Sequence, residues 1–397
     1  MPDRDPSVFR VVHVVPSLDV AGGGPARSVV RLARAQQRLG AQVAVITGEA
    51  EQGDEDSSSE VDFSQLEIHR CRHLPLPFEL PSAQMLRVLK GEISAADLVH
   101  LHSLWNGTVT SAARIARKLR VPYVISPRGM LDPEAVRQKR SFKRLFRALV
   151  DGATSDGAAG FHFLTQYELE TAVWPPRAGQ RTAIIPNGIE VDAVRRAAEA
   201  DPADLFHHGG PNLLYLGRLH ATKGLGLQLD ALARLQAQGV DARLYFIGPD
   251  DGEASRLKQR VRAAGLQHRV SILAPVYSDS RFGLLKAADC VLLTSLFEGN
   301  SVSAMETMAV GGVLIASDTT HLDDAARHDA AVVVARDEKA LAEAISRVLE
   351  NPELAQSIRR AAIAYARSEL ESAVIARRML SFYDEVLGIT FAYGARA

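Results

Sequence analysis

The chain has almost no cysteine. Cys71 and Cys290 are its two, separated by more than half its length, so a disulfide framework or a cysteine-built zinc site is excluded. No run approaches the ~18 consecutive apolar residues that a membrane-crossing helix needs. An excess of charge is missing too: 46 Lys and Arg stand against 47 Asp and Glu, which gives no electrostatic case for a nucleic-acid partner. Residues 1–15 turn from charged to β-like without the apolar centre of a secretory signal. A cytoplasmic protein is expected, with docking on a membrane face left open. What the chain does have is length. Its 397 residues, 47% of them hydrophobic, are enough for two domains at ~150 residues each.

Short β-branched runs alternate with longer helical patterns, the signature of parallel sheets covered by helices. The first series of strands is predicted at 10–16, 42–47, 98–102, 123–126 and 160–164, with helices at 26–39 and 106–119 between them. A second series follows at 213–217, 242–248, 270–274, 290–295, 312–316 and 331–335, with helices at 225–238, 254–264 and 302–310. Two such series predict an α/β protein of two doubly wound, Rossmann-like domains facing across a cleft. Their connection should fall between Pro186 and Gly210. The acidic, serine-bearing stretch 49–60 is predicted to be a loop. Residues 338–387 read as helical with a break at Asn351-Pro352.

Several loops carry chemistry. Gly22, Gly23 and Gly24 join the first strand to the first helix, where glycine lets a backbone approach a ligand and the helix start offers free amides. The dinucleotide fingerprint fails here, because Arg27 stands where its third glycine belongs. His100 and His102 end a buried strand on one face; His102, nearer the carboxyl end, is the better placed to meet a substrate. No third ligand follows at a zinc-like interval, so no metal is expected. Arg128, in a Pro-Arg-Gly turn, suits bidentate pairing with phosphate, or is an ordinary turn arginine. Residues 137–147 hold six cations with Phe142 and Phe146 four apart, the composition of a helix for anionic lipid or of a solvated helix with a buried stripe.

In the second half, Gly217 and Arg218 leave a strand, and Lys223 precedes a helix; two cations in one loop suit a diphosphate. Glu298 and Glu306 flank a turn and helix start, Gly299-Asn300-Ser301-Val302, whose amides suit phosphate while the carboxylates suit sugar hydroxyls. Ser303, three residues before Glu306, also fits a capping box that needs no ligand.

Taken in order, the glycine turn, His100-Leu-His102, Pro186-Asn187-Gly188, Gly217-Arg218 with Lys223-Gly224, and the Glu298/Glu306 pair resemble the retaining glycosyltransferases of family 4, with the GT-B fold and a group 1 domain. The resemblance runs over almost the whole chain. It implies an acceptor-binding domain at 1–188, a nucleotide-sugar domain at 189–370, and a last helix within 371–397 that returns to the first domain. It implies an enzyme of class EC 2.4 that retains anomeric configuration and needs neither metal nor cofactor. Arg218 and Lys223 would hold the diphosphate, Glu298 the transferred sugar, and Glu306 the ribose. The amides of 300–302 would meet the phosphates, and His102 would meet the donor sugar. Arg128 and Asn187 join the substrate-binding set. The turn around Arg128 is similar to subgroups that build surface polysaccharide, where acceptors are lipid-linked saccharides and the enzyme docks peripherally on the membrane. Asn300 and Ser301 replace the bulkier pair usual after the first glutamate, which bears on donor-sugar choice. Two alternatives remain: another GT-B enzyme, such as a nucleotide-sugar epimerase or an inverting transferase, and a non-catalytic nucleotide-sugar-binding protein.

Overall fold

The computed structural model describes residues 8–18, 24–48, 66–74, 79–137, 146–147, 152–200, 205–206, 209–276, 278–296 and 298–391. The chain divides into two compact units, Met1–Gly188 with Ser372–Ala397, and Ile189–Glu371. The division falls at Gly188 and Ile189, inside the predicted connection, and the chain crosses back at Glu371 and Ser372.

The first unit is built on a parallel sheet of β1 (Arg10–Ser17), β2 (Gln42–Gly48), β3 (Glu67–Cys71), β4 (Leu98–His102), β5 (Tyr123–Ser126), β6 (Gly160–Phe163) and β7 (Arg181–Ile184). Their order is β3-β2-β1-β4-β5-β6-β7. β3 and β7 were not foreseen. Both are edge strands with exposed or half-buried residues, so neither shows the continuous apolar run that marks the central ones. One face of this sheet buries Val12, Val14, Val99, Leu101 and Ile125 against the helices Ala83–Ser94 and Gly107–Leu119. The second of these starts where Asn106 accepts hydrogen bonds from the Thr108 and Val109 amides, a side-chain cap written in the sequence. The other face packs on the helices Gly24–Arg38 and Ser372–Leu387, through Val11, Val45, Leu98, Val124, Ile375 and Met379. The final helix thus completes the core of the first unit.

The second unit repeats the plan with β8 (Asn212–Leu216), β9 (Arg243–Ile247), β10 (Val270–Leu273), β11 (Cys290–Leu293), β12 (Leu314–Ser317) and β13 (Val332–Val334), ordered β10-β9-β8-β11-β12-β13 and all parallel. Alternating residues such as Leu213/Leu214 and Val291/Leu292 feed two separate apolar layers, one on each face. Cys71 and Cys290 are both buried and free. Among the described residues no helix is long and apolar enough to cross a membrane.

Candidate functional site

In a doubly wound sheet, the crevice for a ligand lies at the carboxyl ends of the two neighbouring strands whose following chains diverge. In the second unit those strands are β8 and β11, which pair directly. The loop after β8 carries Arg218 and Lys223; the loop after β11 carries Glu298 and runs into the helix Val302–Val310. The two loops meet. Lys223 Nζ donates to both Glu298 oxygens, at 3.0 and 2.8 Å, in a pair mostly withdrawn from water. Gly224 makes that approach feasible: its φ is +66°, and a Cβ there would sit 2.1 Å from the Thr294 carbonyl oxygen. Thr294 Oγ1 in turn reaches the carbonyls of Lys223 and Gly224.

The helix Val302–Val310 is capped by Ser301, whose hydroxyl accepts from the Ala304 amide at 3.3 Å. Ser301 and not Ser303 is therefore the cap, so Glu306 is released from the capping-box role that its spacing suggested. It lies buried, one oxygen 3.3 Å from Arg281 Nη2. Arg281 was not foreseen, since nothing in its surroundings in the sequence marks it. Arg218 does not join Lys223 on a shared carboxylate. It is exposed and pairs with Asp251 at 2.9 Å. Gly299 faces open space.

In the first unit, strained backbone gathers at the ends of β4 and β5. Ser103, Trp105 and Arg128 all have positive φ (78°, 55° and 54°), a conformation unfavourable for non-glycine residues and concentrated at functional sites. The turn holding Arg128 is pinned by Glu168, which accepts from the amides of Gly129 and Leu164 at 2.5 and 2.7 Å. Burial pushes the Glu168 carboxyl upward from its ordinary value, against those two amides and Arg128. Arg128 Nη1 donates to Ser28 Oγ at 2.9 Å and to Asn187 Oδ1 at 3.3 Å. Its Nε and Nη2 lie 3.3 and 3.2 Å from His102 Nδ1. Desolvation draws the guanidinium down to about 10, which leaves it cationic at neutral pH.

The structure thus brings together three residues singled out in the sequence: His102, Arg128 and Asn187. It also shows what surrounds them. His102 is fully buried, and its Nε2 faces His13 Nδ1 at 2.9 Å, so neither ring nitrogen is open to a ligand in this state. His13 pairs with His100 across β1 and β4 and was missed, although the alternation that set His100 and His102 on one face applies equally to β1. His13, His100 and His102 are close enough to share a cation, yet all six of their ring nitrogens are engaged in hydrogen bonds. The group Glu67, His69 and Glu92 is instead threaded by Arg10, whose Nη2 reaches both carboxylates.

Gly22, Gly23, the acidic stretch 49–60 and most of the basic segment 137–147 lie outside the described residues. Gly24 begins the helix Gly24–Arg38. At the ends of the basic segment, Arg137 pairs with Glu134 at 2.8 Å, and the Arg147 guanidinium lies 4.8 Å from the centre of the Trp174 ring.

Comparison with known proteins covers both units. Residues 23–188 match the glycosyl transferase 4-like domain, and residues 198–365 match glycosyl transferases group 1. A 2-deoxystreptamine glucosyltransferase of Streptomyces kanamyceticus is 27% identical over 74% of this chain and 78% of its own. A GDP-mannose-dependent phosphatidylinositol dimannoside mannosyltransferase of Mycobacterium tuberculosis is 30% identical over 36% of each chain. Among solved structures, Anabaena HepE in complex with UDP superposes with a TM-score of 0.74 at 16% identity, covering 95% of this chain and all of that one. Sucrose-phosphate synthase from Thermosynechococcus elongatus gives 0.67 at 21% identity, over 96% and 99%.

Proposed function

The chain belongs to the family 4, group 1 glycosyltransferases of the GT-B fold, enzymes of class EC 2.4 that use nucleotide sugars, and we propose that it moves a sugar with retention onto a hydroxyl of a glycan acceptor. The observation that carries this reading is the Lys223–Glu298 pair at the β8/β11 crevice. A cation and a carboxylate held together there form a site that a diphosphate and a sugar divide between them. The diphosphate takes Lys223 and the amides at Asn300, Ser301 and Val302; the sugar hydroxyls take Glu298. Arg218, on an exposed and adjustable side chain, exchanges Asp251 for phosphate. Glu306, oriented by Arg281 through one oxygen, accepts from ribose hydroxyls through the other.

The charge to be stabilised is that of the departing nucleoside diphosphate. Two cations and a helix N-terminus supply that stabilisation, so the reading includes independence of metal; loss of turnover in EDTA would contradict it. As the bond to phosphate lengthens, the sugar becomes oxocarbenium-like and Glu298 accommodates its charge. The acceptor proton leaves with the phosphate. In the first unit Arg128, with Asn187 and Ser28, takes the acceptor side. His102 acts on substrate in this reading through a rearranged state or through Arg128.

A lipid-linked acceptor and a peripheral membrane location, in surface polysaccharide synthesis, belong to the same proposal. The named lipid acceptor of the mycobacterial relative supports them, as do the six cations of 137–147. The Streptomyces relative, named for 2-deoxystreptamine, favours a second reading with a small polyol acceptor. A panel of nucleotide sugars tested for thermal stabilisation identifies the donor, because a ligand at about 100 times its dissociation constant adds ~2.7 kcal/mol. The anomeric configuration of the product then separates retention from inversion. Turnover of donor without acceptor would indicate an epimerase, and binding without turnover a silent binding protein.

A further inference from the structure

Behind Arg128 a single hydrogen-bonded path runs through the first unit, and its ends dictate where every proton sits. Four buried histidines lie on it. Desolvation lowers His13 to about 4 and His162 to about 3, and holds His100 and His102 well below their ordinary value, so all four rings are neutral at pH 7.

At one end the Ile185 carbonyl, which can only accept, faces His162 Nε2 at 2.7 Å. His162 therefore carries its proton on Nε2 and offers a lone pair at Nδ1. The Ser126 hydroxyl donates to that lone pair at 2.5 Å. With its one proton committed, Ser126 Oγ accepts from His100 Nε2 at 2.6 Å. His100 Nδ1 then accepts from the Tyr383 hydroxyl at 2.6 Å, and Tyr383 accepts from Gln36 Nε2 at 3.3 Å.

At the other end Arg128 can only donate, so His102 Nδ1 accepts from it. The His102 Nε2 proton goes to His13 Nδ1, 2.9 Å away. His13 Nε2 donates to Gln36 Oε1 at 2.8 Å. Worked from opposite ends, the two halves meet at Gln36 and require the same orientation of its amide. Turning that amide over would put the protons of His13 and His102 on Nδ1, aiming an N–H of His102 at the guanidinium.

We propose that Gln36 and Tyr383, on the first and last helices, are positioning residues that join the two halves of the path, hold His13, His100 and His102 in the Nε2–H tautomer that Ile185 imposes on His162, and so keep His102 Nδ1 as the acceptor that orients Arg128. The functional half of this inference rests on Arg128 serving the transfer; the tautomer half rests on the hydrogen-bond geometry of rings that burial keeps neutral.

The experiment is a 15N–1H correlation spectrum of histidine rings in the free full-length protein at pH 7, with transfer kinetics on the donor that the stabilisation screen selects. Wild type should show His13, His100, His102 and His162 all protonated on Nε2. Gln36→Leu should leave Arg128 as the one remaining restraint on this half of the path, so that His13 and, to a lesser extent, His102 sample a second tautomer while His162 is unchanged. It should also lower kcat between about ten- and a hundred-fold, as misplacement of a reacting group does, without weakening nucleotide binding in the other unit. Tyr383→Phe, which keeps the ring's packing, should disturb His100 in the same spectrum. In an Arg128→Lys background, Gln36→Leu should lower kcat no further. An Nδ1–H or doubly protonated ring among the four in wild type overturns the inference. So does an unchanged His102 signal with unchanged kcat in Gln36→Leu. Full turnover by Arg128→Lys removes Arg128 from the site and the positioning role with it, a result that the spectrum of the free protein distinguishes from failure of the hydrogen-bond path.

Discussion

Lys223 and Glu298, 75 residues apart in the chain, close on each other at the one point in the second sheet where neighbouring strands send their chains in opposite directions. A nucleoside diphosphate that binds Lys223 must take it from Glu298. Glu298→Gln should therefore bind nucleoside diphosphate at least as tightly as wild type, by up to about five-fold given the ~1 kcal/mol ceiling of such pairs. Its turnover should fall sharply if the sugar takes the Glu298 carboxylate as proposed. Calorimetry beside a transfer assay checks both halves; weaker binding in the variant would show that Glu298 itself holds the nucleotide.

Gly224 is fixed by its backbone and by its neighbour. An added Cβ meets the Thr294 carbonyl at 2.1 Å, and the left-handed conformation is itself unfavourable for alanine by ~1–2 kcal/mol. Gly224→Ala should lower the melting temperature of the second unit by about 4–8 °C, the shift that ~2 kcal/mol produces in a domain of this size. A melting curve that coincides with wild type would contradict the geometry.

The Arg281–Glu306 pair is almost wholly out of water. Arg281→Ala strands a buried carboxylate and should destabilise the second unit by about 3–5 kcal/mol. Replacing both partners, as Arg281→Met with Glu306→Leu, should restore most of that loss. The double variant should still bind nucleotide poorly if Glu306 serves the ribose as proposed. Denaturant midpoints decide the first point, and calorimetry the second.

The buried histidines make stability depend on pH with a definite sign. Their folded values lie below the unfolded value of about 6.5, so between the two the unfolded chain binds more protons. Stability from these groups is therefore complete above about 6.5 and falls as pH drops toward 4 for His13 and 3 for His162. Each contributes a slope of up to ~1.4 kcal/mol per pH unit. Denaturation followed from pH 7.5 to 4.5 should show it, and replacing His162 by Gln should flatten the curve. A profile level through pH 5 would contradict neutral burial.

The central strands and the helix Val302–Val310 were legible because apolar runs and periodicity depend on local burial, and burial on both faces leaves a continuous signal. β3 and β7 were illegible because their short edge runs, Glu67–Cys71 and Arg181–Ile184, carry charged residues, whereas the edge strands β10 and β13 stay uncharged and could be read. The loops around Lys223 and Glu298 could be read because glycine, cation and carboxylate sit beside strand ends. Their pairing with each other was not readable, and neither was Arg281, since no local pattern announces a contact between distant segments. His102 was placed correctly on its strand, yet Gln36 and Tyr383, which bond to His13 and His100 beside it, reside on helices at opposite ends of the chain. They become neighbours only through the docking of Ser372–Leu387 onto the first sheet.

Whether the β8/β11 crevice holds a nucleoside diphosphate is the central point. Calorimetric titration of UDP and of GDP into wild type and Lys223→Ala tests it directly. One of the two nucleotides should bind wild type at one site per chain. Lys223→Ala should bind it about 10- to 150-fold more weakly, the loss of a charge-assisted contact of ~1.5–3 kcal/mol. Equal affinity in the two proteins would contradict the account, as would no binding of either nucleotide to wild type.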